Sequence, residues 1–188
     1  MNRTFCFVVV IGLALVVFAC TPKDAQKSIN IHSIVVDSAS LKKDKIQINF
    51  MLDSFNLAAA QADYEKYFDF FADDATFLGT DATENWKKED FMRWVKPFFD
   101  RGSVWDFTSM ERNIYFLPSG DVAWFDELLN TQMKICRGSG VLIKKNNEWK
   151  IQQYVLSMTV PNSKTNAVVA LKSGIEDSLI GVFSKKAK

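Results

Sequence analysis

VAWFDELLNTQMKICRGSGVLIKKNNEWKIQQYVLSMTV, residues 122–160, decides the fold. Val122–Gln132, Ile135–Lys144 and Trp149–Val160 are long runs rich in β-branched and aromatic residues, which suit a pleated, half-buried surface. Lys145-Asn146-Asn147-Glu148 between the last two is a turn by composition. Strands joined by such short breaks pair antiparallel, because a parallel crossover needs a dozen or more residues. Val104–Met110 and Asn113–Leu117 read as two further strands, closed by the turn Pro118-Ser119-Gly120-Asp121.

Upstream the period changes. Residues 41–71 read as helix, with Ile48, Leu52, Phe55 and Ala59 on one face and Tyr64, Tyr67, Phe68 and Phe71 repeating the spacing. Ala58-Ala59-Ala60 favours that helix. Asp73-Asp74 interrupts it, and Ala75-Thr76-Phe77-Leu78-Gly79 reads as a short strand. A third helix is expected over Lys88–Phe98, where Pro97 should kink or end it. Helices first and antiparallel strands after them define an α+β domain, with the helices covering one face of a curved sheet. In the C-terminal tail, residues 163–188, Val168, Leu171, Ile175, Leu179 and Val182 mark an amphipathic helix weakened by Gly174 and Gly181. Lys185, Lys186 and Lys188 are read there as a solvated end, three lysines being few for a lipid contact.

The N-terminus is an address. Arg3, an apolar run from Phe5 to Phe18, and Ala19-Cys20 form a secretory signal. The Cys at the cut resembles the lipobox of bacterial lipoproteins, which implies a signal peptide over residues 1–19 and a lipid on Cys20. The run is shorter than the ~20 apolar residues that span a bilayer, and no stop-transfer pattern follows it. The protein is therefore expected at the cell envelope, lipid-anchored to a bacterial membrane, periplasmic or surface-exposed. Residues 20–40 read as a tether, and Ile29, Ile31 and Ile34-Val35-Val36 leave open a short docked strand.

Cleavage before Cys20 leaves 169 of the 188 residues, enough for one domain with a proper core. It also removes Arg3, one of 23 basic residues, so the remaining chain balances its 22 acidic ones. That neutrality argues against nucleic acid as a partner, which needs a clustered basic surface. Cys136 is then the one cysteine left beside Cys20, so no disulfide is expected within the domain, and Cys136 reads as a small buried hydrophobe.

Phe77-Leu78-Gly79-Thr80-Asp81-Ala82-Thr83-Glu84-Asn85-Trp86, Gly120–Glu127, Arg137–Leu142, and Trp149–Ile151 through Tyr154–Ser157 to Pro161-Asn162 follow one another in order. Together they resemble the SnoaL-like branch of the nuclear transport factor 2-like superfamily, over roughly residues 46–162 of a domain read as 41–162. The resemblance implies a cone-shaped, cystatin-like curved antiparallel sheet closed by helices around a pocket, with a homodimer formed through the sheet. Its enzymes include ketosteroid isomerase, scytalone dehydratase, limonene epoxide hydrolase and polyketide cyclases.

The chain lacks much of that chemistry. His32 is its one histidine and lies in the tether, so an Asp–His dyad or a His-based metal cluster is not expected inside the domain. No glycine-rich phosphate loop or nucleophile elbow occurs. No catalytic residue and no cofactor is assigned. Asp126 alternates with Val122, Trp124 and Leu128 on a mostly apolar strand face, and a hairpin would bring Arg137 opposite or diagonal to it. Asp81 and Trp86 are candidates for the pocket rim, Trp124 for stacking, and Tyr67 and Tyr154 for hydroxyls in the cavity. These seven residues are the expected binding set for a small, largely apolar or aromatic molecule, held without catalysis. An isomerase or hydrolase using Asp126 or Asp81 as base, and a dimerisation module, are the alternatives.

Overall fold

Residues 37–102 and 104–186 are described in the computed structural model, so the expected signal peptide, Cys20 and most of the tether lie outside the described residues. Helix α1, Ser38–Ala60, buries Ile48, Met51, Leu52, Phe55, Ala58 and Ala59, the face that the sequence spacing marked. It starts at Ser38, so the last three residues of the expected tether are helical. The helix expected through residue 71 is interrupted, because Ala62 takes a left-handed backbone (φ 55°). Asp63 then caps helix α2, Tyr64–Asp69, its carboxylate accepting from the Lys66 amide at 3.1 Å.

Strand β1, Phe71–Leu78, turns into the short β2, Asn85–Lys87, which the sequence did not signal. Helix α3, Lys88–Asp100, continues through Pro97. The proline costs one amide bond, but Arg93, whose carbonyl loses that partner, is exposed and solvated. The two strands expected over 104–117 are one, β3, Thr108–Phe116, with a bulge between Ser109 and Glu111 where the reading placed a break. Strands β4, Val122–Thr131, β5, Lys134–Lys145, and β6, Glu148–Met158, follow as antiparallel neighbours at the expected turns.

The six strands form one curved sheet in the order β2-β1-β6-β5-β4-β3. β1 pairs with β6 in parallel, while the other pairs are antiparallel. Helices α1, α2 and α3 cover one face, and aromatic rings fill the space between. Phe55 stacks on Tyr67 at 4.5 Å between centroids, Phe77 on Phe91 at 4.1 Å, and Tyr154 lies parallel to Phe77 at 5.7 Å. A polar contact fixes α1 to the far hairpin. Buried Asp44 accepts from Lys144 Nζ at 2.7 Å and from the Trp149 indole N–H at 3.3 Å. After a single 3-10 turn, Asn162–Lys164, helix α4 runs from Thr165 to Lys186 and buries no residue.

Candidate functional site

Strand alternation sorts β4 into two faces. Ala123, Phe125, Glu127, Leu129 and Thr131 point into the core, and Val122, Trp124, Asp126 and Leu128 point away from it. Glu127 is therefore the carboxylate inside the cone, with its side chain fully buried.

Two strands satisfy that carboxylate and a third leaves room for it. Arg112 sits directly opposite on β3, and its Nε donates to Glu127 Oε2 at 2.9 Å. The Tyr154 hydroxyl, from β6, donates to Glu127 Oε1 at 3.2 Å. Gly138, opposite on β5, leaves room for both, since a Cβ there would lie 2.5 Å from the Tyr154 oxygen. Arg112 continues outward to α1. Its Nη1 donates to the backbone and side-chain oxygens of Asn49, both at 3.2 Å. Its Nη2 lies 2.8 Å from Glu127 Oε2 and 2.9 Å from Asp53 Oδ1, ionic contacts in which neither oxygen is aligned with an N–H bond. Burial, and then the Glu127 charge, pushes the Tyr154 phenol well above its usual value. Burial does the same to Tyr67.

Asp53 joins this buried cluster to the surface, because its own side chain is 64% exposed. It lines a cleft of about 360 Å³ between α1 and the start of β3. Asn56, Asp106, Thr108 and Ser109 supply the other polar groups, and Leu57, Ala60 and Phe107 the apolar wall. Asn56 is 5% exposed, and its side-chain nitrogen has no partner in the protein. The lining carries two carboxylates and no lysine or arginine, so it disfavours anions.

The seven residues expected at one pocket are dispersed. Tyr67 and Tyr154 meet in the core across Phe55. Trp124 stands on the opposite face of the sheet, 43% exposed and stacked on Tyr115 at 5.6 Å. Asp126 and Arg137 share that face as a diagonal pair at 3.5 Å, as the hairpin argument anticipated, but half in solvent. Such a pair is worth under about 1 kcal/mol. Trp86 stacks between Phe91 and Trp94 beside α3. Asp81 is exposed in the β1–β2 turn, where the Thr83 hydroxyl and amide hold its acid below the usual carboxylate range. None of the seven lines the cleft. The sequence reading missed Asn49, Asp53, Asn56, Arg112 and Glu127. Asn49, Asp53 and Asn56 recur at i, i+4 and i+7, one polar stripe beside the buried face of α1, which was the available signal.

The SnoaL-like domain model matches residues 48–161, more than half of the chain. The chain belongs to the SnoaL-like domain family. Solved structures share its fold at low identity. A nuclear transport factor 2-like protein of unknown function from Pseudomonas putida is 12% identical with a TM-score of 0.56, covering 65% of this chain and 92% of its own. A proposed scytalone dehydratase from Novosphingobium aromaticivorans is 12% identical with a TM-score of 0.56, covering 66% and 89%. The association domain of CaMKII from C. elegans is 19% identical with a TM-score of 0.53, covering 63% and 98%. No curated protein sequence matches the chain.

Proposed function

We propose that this SnoaL-like domain binds a small, largely apolar molecule, neutral or cationic, in the cleft between α1 and the start of β3, and does not convert it. One observation carries the reading: Asp53 is shared between the open cleft and the buried Arg112–Glu127 pair. A ligand at the rim thereby meets a carboxylate whose position is fixed from behind. Binding rather than turnover is favoured because Glu127 is sealed and already occupied by Arg112 and Tyr154, and so is not free to take a proton from a bound molecule. The Arg3-to-Cys20 signal supports delivery to the envelope and a lipid anchor. Exposed Tyr115, Trp124 and Ile135 on the outer sheet face support a homodimer, which light scattering reads directly.

Thermal-shift screening of neutral, cationic and anionic aromatic molecules tests the reading, with Ala60→Phe as the variant that fills the cleft. Neutral or cationic compounds should raise the melting temperature of the wild type, and a ligand at a hundred times its Kd stabilises by about 2.7 kcal/mol. Ala60→Phe should abolish the shift, and Asp126→Asn should leave it intact. Equal shifts in Ala60→Phe would move the site elsewhere. Conversion of a ligand by the wild type, lost in Ala60→Phe, would make the protein an enzyme.

A further inference from the structure

Helix α4 lies beyond the family domain, which ends at residue 161, and it is the one described helix that buries nothing. Its 22 residues span about 33 Å at the usual rise. Leu171 is 84% exposed, Ile175 70% and Val182 50%, and at i, i+4 and i+11 they share one stripe, which half-buried Val168 and Leu179 extend. Ser173, Asp177, Gly181 and Ser184 occupy the opposite side. A helix with two glycines and no covering element is only marginally stable in water. Its stripe calls for an apolar partner.

We infer that α4 lies flat on the lipid surface that anchors the protein. The inference rests on the proposed lipidation of Cys20. From that residue to Ser38 the chain has eighteen steps, which reach at most about 60 Å, so the domain stays within a few nanometres of the bilayer. No described helix is long and apolar enough to cross a membrane, which suits α4 to the interface rather than the interior. Its weakly charged Ser/Gly side makes insertion of the apolar stripe the main attraction. Lys185 and Lys186 in the last turn add the charge that anionic headgroups attract. A second copy of the helix would satisfy the same stripe and offer Glu176 and Asp177 to the lysines, but only the bilayer lies within the tether's reach of every copy.

Hydrogen–deuterium exchange of the full chain, with and without vesicles of phosphatidylethanolamine and phosphatidylglycerol, decides the matter. Amides of 165–186 should slow about tenfold with vesicles, while those of 48–161 stay unchanged. Leu171→Asp with Ile175→Asp should remove the protection without altering the domain's melting, since both side chains are exposed. Protection that appears without vesicles and grows with protein concentration would assign the stripe to a second copy and overturn the inference. Unchanged exchange with vesicles would overturn it too. Fatty-acid labelling of wild type against Cys20→Ser reports the anchor separately. An unlabelled wild type with a protected α4 would sink the anchoring alone.

Discussion

Glu127 is accommodated in the core because Arg112 faces it across the β3–β4 ladder and Tyr154 donates to its second oxygen. Removing one partner of a buried pair leaves the other unpaired and costs about 3–5 kcal/mol, whereas an apolar pair of similar volume is often neutral. Urea unfolding of Glu127→Leu, Arg112→Met and the double variant Glu127→Leu/Arg112→Met should show the double losing far less than the summed singles. Additive losses would mean that the pair is not coupled. The buried phenols add a pH dependence. Tyr67 and Tyr154 hold their protons more tightly folded than unfolded, so their stabilisation is complete below about pH 10 and falls as pH rises beyond it. Phenolate absorbance should therefore show two tyrosines ionising only as the protein unfolds in base, and Tyr154→Phe should leave one. At this scale the site was hard to read in the sequence. Both faces of Val122–Leu129 carry large apolar residues and one acid each, so alternation alone did not tell Asp126 from Glu127. The outer face is itself apolar, around Trp124 and Leu128, and that misdirected the choice.

Among the elements, Asp44 decides how α1 seats on the sheet. Its carboxylate is buried and gathers Lys144 from β5 and the Trp149 indole from β6. Asp44→Ala leaves a lysine and an indole N–H unsatisfied and should cost about 1–3 kcal/mol, read as a lower urea midpoint with an unchanged slope. A midpoint within error of the wild type would show that the first two turns of α1 are not fixed there. The elements themselves were largely legible, because period 3.6 in the three helices gives way to sustained alternation beyond residue 104 and the turns at Pro118 and Asn146 carry their own chemistry. What local pattern does not encode was missed. The bulge at Ser109–Glu111 imitates a strand break, and the parallel β1–β6 pairing joins segments far apart in sequence.

On the scale of the whole molecule, the sheet and helices enclose an aromatic core rather than an open cone, and the cleft beside Asp53 opens at its edge. The ordered motifs were enough to indicate the family and its fold. They did not indicate which interior positions are filled, because that depends on how Phe55, Tyr67, Phe77, Phe91 and Tyr154 interlock, and each of those rings suits a pocket wall as well as a core. Mass spectrometry of small molecules released on denaturation, from wild type and from Ala60→Phe purified side by side from native cells, tests the binding claim most directly. The account predicts a neutral or cationic molecule, at near one per chain, from the wild type and its loss from Ala60→Phe. The same molecule released in equal amount from both proteins, or an anionic one, would contradict it.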